Sequence, residues 1–316
     1  MPEVTDNMSL LVVKDIYKEF TNEKSRFTAV DHVNLSIDEG ECLGIVGESG
    51  CGKSTMASLI MHLKTADSGQ IFLDGKNLDN GRAVKESRSK LQMIFQNPVD
   101  SFDPRYTLLN SVKQGLRYLD NPGKEELDRR AKQAIEYVGL KSSYYDRRIS
   151  QLSGGECQRA AIARAIISSP KLLICDEATS ALDVSVQAQI IALLKRLQRE
   201  KNMAYLFITH DLLLARNICN RIAVMYKGSI VETGEAAEIL DNPKHPYTKL
   251  LLKCVLKPRI DKDFKFVNSD SLRETSSLGC KFYEFCSCAT EKCKLQRPEL
   301  TEKNGRQIAC FLENMN

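Results

Sequence analysis

Residues 47–55 combine residue types that can bind the phosphate groups of a nucleotide. They read Gly47, Glu48, Ser49, Gly50, Cys51, Gly52, Lys53, Ser54 and Thr55. The glycines permit a sharp turn in which successive backbone N–H groups face an anion. Lys53 would then reach the β- and γ-phosphates, and the Ser54 hydroxyl would bind Mg²⁺. A glycine-rich turn without a ligand is the alternative, but the flanking residues 42–46 and 56–61 predict the strand and the helix that such a site requires.

Two adjacent carboxylates follow another apolar segment of the chain. Asp176 and Glu177 come directly after the apolar residues 172–175. Such a segment predicts a buried strand, whose end would lie beside the phosphate loop. We expect Asp176 to hold Mg²⁺, and Glu177 to orient the attacking water or to accept its proton. The alternative is that both carboxylates form a solvated strand terminus.

Composition and charge exclude several classes of protein. The 316 residues are 42% hydrophobic and include 45 basic and 41 acidic residues, a formal net charge of +4. This balance gives no indication of a nucleic-acid partner. No apolar stretch approaches the roughly 18–20 residues that span a bilayer. The first residues lack the basic and apolar regions of a secretory signal, so we expect the protein to remain where it is synthesised.

The order of predicted elements indicates how the chain is organised. Strands predicted in the first 75 residues make this part rich in antiparallel strands around the phosphate loop, and residues 15–34 contain turn-like polar stretches. A helical pattern then indicates a helical insertion at about 98–165. The composition changes after residue 242. We therefore predict a nucleotide-binding domain at 8–240 and a smaller C-terminal tail at 241–316.

The order of these motifs resembles that of the ATP-binding cassette (ABC) of transporters. The motifs are the phosphate loop, a strand ending at Gln96, Leu-Ser-Gly-Gly-Glu at 152–156, the strand ending in two carboxylates, Ser-Ala-Leu-Asp at 180–183 and a strand ending at His210. Features at 96–105, at 245–251 and in the tail resemble the branch that serves dipeptides, oligopeptides and nickel chelates, and within it the second ("F"-type) ATPase subunit. The resemblance implies an α/β P-loop ATPase fold with an antiparallel β subdomain, a RecA-like core, a helical subdomain and a small C-terminal regulatory domain that contains cysteines.

The resemblance also implies catalytic and binding roles beyond the phosphate loop. Gln96 would contact Mg²⁺ and the attacking water, although it could also be an ordinary polar strand end. His210 would contact the γ-phosphate through a hydrogen bond. The signature would bind the ATP of a second subunit, and Asp183 would lie at the interface between the two subunits. The signature residues are Ser153, Gly154, Gly155 and Glu156. One chain alone would then lack a complete site, and Ser153 could at the same time be a helix N-cap.

The adenine ring of ATP requires an aromatic platform. Alignment of residues 15–20 with the family favours Phe20. Tyr17 and Phe27 are alternatives, and an aromatic residue in this stretch could equally belong to the core.

The tail contains a group of cysteines. With 11 cysteines in the chain and no predicted secretion, free thiols or metal ligands are expected rather than disulfides. Cys280, Cys286, Cys293 and Cys310 offer four thiolates, which suit tetrahedral zinc or an iron–sulfur cluster. Their spacing lacks the close pairs of a zinc ribbon, and the resemblance favours a [4Fe–4S] cluster. Cys288 adds a fifth thiol, and unmetallated thiols in a regulatory domain are the alternative.

The motifs and the resemblance together imply an ATPase subunit of a peptide-type ABC importer at the cytoplasmic face of the cell membrane, using ATP and Mg²⁺. The expected partners are a homologous second ATPase subunit, two permease subunits and an extracytoplasmic substrate-binding protein. The alternative is a soluble, non-transport ABC ATPase of repair or translation, but those usually carry two cassettes or a long coiled-coil insertion. A non-hydrolysing module is disfavoured because Lys53, Asp176 and Glu177 are all present.

Overall fold

The computed structural model describes residues 9–22, 25–119, 122–180, 182–256 and 278–314. The N-terminal residues 1–8, on which the expectation about secretion depends, lie outside the described residues. So does Ala181 of the predicted Ser-Ala-Leu-Asp motif, and so does the stretch 257–277 of the predicted tail. Among the described residues, no helix has the length and apolar character needed to cross a membrane.

Two sheets form the framework of the described chain. The larger sheet has the order β11-β12-β10-β9-β3-β8-β7-β6, and the smaller sheet has the order β2-β1-β4-β5. The strands are β1 Ser9–Asn22, β2 Ser25–Asp38, β3 Cys42–Val46, β4 Ser68–Leu73, β5 Lys76–Asn77, β6 Leu91–Ile94, β7 Leu172–Asp176, β8 Ala204–Thr209, β9 Arg221–Tyr226, β10 Ser229–Glu235, β11 Thr301–Lys303 and β12 Arg306–Ile308. Strands β9, β3, β8, β7 and β6 are parallel, and the smaller sheet is antiparallel.

The central strands are continuous apolar runs because both faces of the larger sheet are covered. Every residue of β3, β7 and β8 is buried. Along β8, Tyr205 and Phe207 pack into one hydrophobic cluster, whereas Leu206 and Ile208 pack into the other. This alternation follows from the two-residue period of a strand. The sheet therefore separates two cores.

The N-terminal strands are longer than the sequence indicates. Turn-like stretches are predicted within 15–34, but residues 15–22 belong to β1 and residues 25–34 to β2, which pair antiparallel. Residues 23 and 24 of the predicted turn at 21–25 lie outside the described residues. The register shifts on β1 between Val13 and Ile16, and both Asp15 and His32 have a positive φ of 53°. The polar residues that suggest turns therefore lie at irregularities within continuous strands, where an extra residue leaves the ladder. The Asp15 carboxylate and the His32 ring pair across them at 2.8 Å.

Helices cover the larger sheet and form the predicted helical insertion. In the described residues they are α1 Lys53–Ile60, α2 Gly81–Ser87, α3 Leu108–Arg117, α4 Lys124–Tyr137, α5 Gly154–Ile166, α6 Val184–Lys201, α7 Leu212–Ile218, α8 Ala236–Asp241, α9 Pro246–Leu256 and α10 Glu291–Leu295. Helices α3, α4 and α5 pack against one another, as the helical insertion predicts. Since β3, β8, β7 and β6 are parallel neighbours, their carboxyl ends bring the residues that follow them to one edge of the sheet.

The C-terminal hairpin extends the larger sheet. Strand β12 pairs with β10 and with β11. Beside this junction, the fully buried carboxylate of Glu232 forms an ion pair with Arg306 at 2.5 Å. Glu232 also accepts hydrogen bonds from the backbone N–H groups of Lys244 and His245, at 2.8 and 3.1 Å. A single buried carboxylate therefore holds the start of the tail and its last hairpin together.

Candidate active site

The phosphate loop connects β3 to α1, as the sequence predicts. Gly47 and Gly52 have positive φ values of 156° and 113°. A Cβ atom at Gly52 would lie 2.1 Å from the carbonyl oxygen of Ala29, and one at Gly47 would lie 2.3 Å from that of Met225. Both positions require glycine because the loop lies directly against neighbouring backbone.

Lys53 begins α1 and is only 5% exposed. Its Nζ atom donates hydrogen bonds to the carbonyl oxygens of Gly47 and Glu48, each at 2.8 Å. The ammonium group is therefore held inside the loop by backbone acceptors. An ammonium group in this position can neutralise charge on a phosphate that enters the loop.

The two residues predicted to hold Mg²⁺ are adjacent in space. Ser54 Oγ donates to Asp176 Oδ1 at 3.0 Å, and Asp176 is 7% exposed at the end of β7. Burial raises the pKa of Asp176, the Ser54 hydrogen bond opposes this rise, and the neighbouring Glu177 charge adds to it. A hydroxyl beside a desolvated carboxylate is a set of hard oxygen donors, which suits Mg²⁺.

Glu177 is the point at which three separate segments meet. Gln96 Nε2 donates to Glu177 Oε2 at 2.9 Å, and His210 Nδ1 lies 3.4 Å from Glu177 Oε1. The Glu177 backbone has a φ of 48°, which is uncommon for a residue other than glycine. The His210 side chain is 61% exposed and that of Glu177 is 17% exposed. The structure therefore brings together three of the predicted catalytic side chains, those of Gln96, Glu177 and His210, at the sheet edge that also carries Asp176.

The signature residues cap a helix. Ser153 Oγ accepts from the Glu156 N–H at 3.4 Å, and Glu156 Oε2 accepts from the Ser153 N–H at 2.8 Å, which is a capping box at the start of α5. Asp183 caps α6 and accepts from the Ser185 and Val186 N–H groups at 3.1 and 3.0 Å. In the described part of the chain, the hydrogen bonds of Ser153 and Asp183 go to their own helices rather than to the phosphate loop.

The candidate adenine platforms lie on β1 and β2. Phe20 is half-buried, with the ammonium groups of Lys18 and Lys64 at 5.5 and 5.2 Å from its ring centre. Phe27 is its cross-strand partner and is 36% exposed. The Tyr17 hydroxyl donates to a Glu19 carboxylate oxygen at 3.2 Å. Which of these rings contacts adenine remains a prediction.

The tail cysteines lie close together, but their arrangement gives no support for the predicted metal centre. Five of them border one cavity of about 10 Å³; they are Cys280, Cys286, Cys288, Cys293 and Cys310. This volume is about that of a single water, which is too small for a [4Fe–4S] cluster. Within the described residues, no group of three or more Cys, His, Asp or Glu side chains is arranged to hold a metal ion. Burial raises the pKa of the Cys280, Cys286 and Cys310 thiols.

One contact with the phosphate loop has no signal in the sequence. The backbone N–H of Glu48 donates to the hydroxyl oxygen of Tyr247 at 3.2 Å. Residues 245–248 suggest packing rather than catalysis, and no sequence signal relates Tyr247 to a loop residue 199 positions away.

Comparison with known proteins gives two family matches. The family described as ABC transporter matches residues 30–180, and the family described as oligopeptide/dipeptide transporter, C-terminal region, matches residues 231–293. The chain is 40% identical to the oligopeptide transport ATP-binding protein OppF of Escherichia coli, across 98% of this chain and 95% of that protein. The chain belongs to the ABC transporter family of ATP-binding proteins. As a member of this family it is an ABC ATPase.

Other ABC proteins support the same assignment. The probable D,D-dipeptide transport ATP-binding protein DdpF of Escherichia coli is 37% identical, across 96% of this chain and 98% of that protein. A solved ABC cassette dimer, in a post-hydrolysis state bound to ADP and Pi, superimposes with a TM-score of 0.66 at 31% identity. It covers 72% of this chain and 98% of its own. The relatives are ATP-binding proteins of oligopeptide and dipeptide transport, and the soluble non-transport alternative has no support.

Proposed function

We propose that this ABC ATPase energises the import of dipeptides or oligopeptides, or of nickel chelates, and that Glu177 is its general base. The convergence of Gln96, Glu177 and His210 beside Asp176 supports this proposal most directly. The peptide substrate class rests on the names of the relatives and on the C-terminal family match.

In the proposed reaction, each residue has a distinct task. Lys53 and the backbone N–H groups of the loop bind the β- and γ-phosphates, with Phe20 as the platform for adenine. Ser54 and Asp176 would hold Mg²⁺, with Gln96 as a further ligand, and this ion would neutralise phosphate charge. Glu177 accepts the proton of the attacking water while Gln96 holds the carboxylate in place.

His210 and the signature would both contact the γ-phosphate in the proposed reaction. His210 would act through a hydrogen bond. The signature would act in trans, across a head-to-tail dimer with a homologous ATPase subunit. Asp183 is exposed at the N-terminal end of α6, which is compatible with a position in the interface of that dimer.

The proposed partners are two permease subunits and an extracytoplasmic substrate-binding protein, with this chain at the cytoplasmic face of the membrane. The segment around Gln96 supports a docking role, because it carries three exposed apolar side chains: Phe95, Val99 and Tyr106. Such a loop could couple the state of the nucleotide to the permeases. We further propose the domain division at residues 240 and 241.

A mild-detergent pull-down of the tagged chain from membranes, followed by mass spectrometry, tests the transport proposal. Two multispanning permeases and a second ATPase are the expected partners. Recovery of soluble proteins, ribosomes or DNA alone would leave the ATPase assignment intact and would contradict the transport proposal.

Cluster binding by the tail cysteines remains a hypothesis from the resemblance, without support from the cavity volume. Iron analysis and a visible spectrum of the anaerobically purified chain test it directly. Iron in the proportion of a [4Fe–4S] cluster would show that the cysteine-lined cavity opens around a cluster. Iron-free, colourless protein would contradict cluster binding and favour free thiols in the tail.

A further inference from the structure

One peptide group of the phosphate loop is held from both of its ends. The carbonyl of Gly47 and the N–H of Glu48 belong to the same planar unit. Lys53 Nζ donates to this carbonyl at 2.8 Å, and the N–H donates to the Tyr247 hydroxyl oxygen at 3.2 Å. Because the unit is rigid, rotation of this peptide would break both hydrogen bonds together.

Tyr247 is itself fixed by its surroundings. The residue is fully buried, and its ring centre lies 4.4 Å from that of Tyr226 and 5.6 Å from that of Phe282. Its backbone N–H donates to His245 Nδ1 at 3.1 Å, and the His245 N–H donates to the buried Glu232 carboxylate at 3.1 Å. The hydroxyl therefore reaches the loop from a rigid support rather than from a mobile surface side chain.

The structure also excludes two other readings of this contact. Burial raises the pKa of Tyr247 far above its ordinary value, so the phenol is neutral and does not act as a base. The hydroxyl contacts the loop backbone and not the Lys53 side chain, so it has no direct part in binding phosphate. Its effect on the reaction must pass through the orientation of the 47–48 peptide.

We propose that Tyr247 is a positioning residue for ATP binding, which orients the 47–48 peptide and through it the ammonium group of Lys53. This inference rests on the proposed role of Lys53 as a phosphate ligand. It gives the C-terminal part of the chain a defined contact with the nucleotide site, through a residue that lies outside the cassette motifs.

The expected effect follows from a loss of preorganisation. Without the Tyr247 hydroxyl, the loop would spend part of its time with the 47–48 peptide rotated, and ATP would bind only to the competent fraction. One neutral hydrogen bond contributes about 1 kcal/mol, which corresponds to at most about a five-fold change in affinity. Bound ATP restores the loop, so the rate at saturating ATP should not change.

The test compares Tyr247→Phe with a matched control, Tyr226→Phe. Both variants remove one hydroxyl from the same aromatic cluster, but only the first removes the acceptor of the Glu48 N–H. For Tyr247→Phe we expect the Kd and KM for ATP to rise by up to about five-fold with an unchanged kcat. For Tyr226→Phe both constants should stay at the wild-type value.

A purely structural role gives a different pattern. A smaller folded fraction would lower the apparent kcat and leave KM unchanged. That result, or equal KM values in the two variants, would overturn the inference. Lys53→Ala separates the two proposals: if it binds ATP normally, the proposed phosphate contact fails, and if it loses binding while Tyr247→Phe does not, only the positioning role fails.

A measurement on the wild-type chain covers the case in which Tyr247→Phe does not fold. Hydrogen exchange of the Glu48 amide in the nucleotide-free protein reports the bond to Tyr247 directly. We expect this amide to be protected relative to an unbonded loop amide. Exchange at the rate of an unprotected amide would refute the inference.

Discussion

Replacement of Glu177 by glutamine should remove the proton acceptor and leave ATP binding intact. The substitution keeps the shape of the side chain, and a glutamine oxygen can still accept the Gln96 hydrogen bond of 2.9 Å. A neutral amide cannot take a proton from water. The φ of 48° at this position is equally unfavourable for glutamate and for glutamine, so the variant should fold.

The magnitude follows from the role of a positioned base. Such a base contributes about 10²–10⁴-fold to a rate, or about 2.7–5.5 kcal/mol of transition-state free energy. The kcat of Glu177→Gln should therefore fall by this factor. The Kd for ATP should stay within about a factor of three, because the contacts of Lys53 and the bond between Ser54 and Asp176 do not involve Glu177.

The assay combines steady-state ATP hydrolysis, ATP binding and the molecular mass in solution with ATP present. Binding without turnover should trap the ATP-bound dimer, which the mass measurement would detect. Glu125→Gln, an exposed position on α4, is the matched control and should behave as wild type. A kcat within about ten-fold of wild type would refute the assignment of Glu177 as the base.

Two further predictions concern buried carboxylates. Burial raises the pKa of Asp176, so the ionised carboxylate lowers the free energy of unfolding at pH values above that pKa. Asp176→Asn should therefore raise the Tm of the nucleotide-free chain at neutral pH. This rise in Tm should vanish as the pH falls below about 4, where Asp176 is protonated in both the folded and the unfolded chain. A rise in Tm that is constant with pH would show that burial of the ionised carboxylate is not its cause. The variant keeps an acceptor for Ser54, yet Mg²⁺-dependent turnover should be lost. Glu232→Ala should lower the free energy of unfolding by about 3–5 kcal/mol, since Arg306 would stay buried and unpaired. Asp241→Ala breaks an exposed ion pair and should cost less than about 1 kcal/mol; equal losses in urea titrations would disprove the distinction.

The sequence by itself determined the local elements of the nucleotide site. Glycines at positions of positive φ, the lysine and hydroxyl that follow them, and apolar runs that end in polar residues are local signals. They predict the strand β3, the loop and α1, and they predict that Asp176 ends a strand. The capping box at Ser153 and Glu156 is equally local, because it joins residues three positions apart.

In two other parts of the chain, the local sequence pattern was not enough to predict the structure. The polar residues of 15–34 indicated turns, because a bulge within a strand and a turn use the same residue types. Four thiolates in the tail suited zinc or a cluster, and the resemblance favoured a cluster, whereas the volume between the cysteines depends on how the surrounding side chains pack. The order of residues alone therefore distinguishes neither a bulge from a turn nor a narrow cavity from one that could hold a cluster.

Only the tertiary structure decided which distant residues meet. Glu177 contacts Gln96 and His210 because three parallel strands end at one edge of the sheet. Tyr247 reaches the Glu48 amide because α9 begins beside β10, where Glu232 holds the preceding turn. Hydrogen bonds between residues this far apart depend on packing, which is a property of the whole fold and leaves no periodic pattern in the sequence.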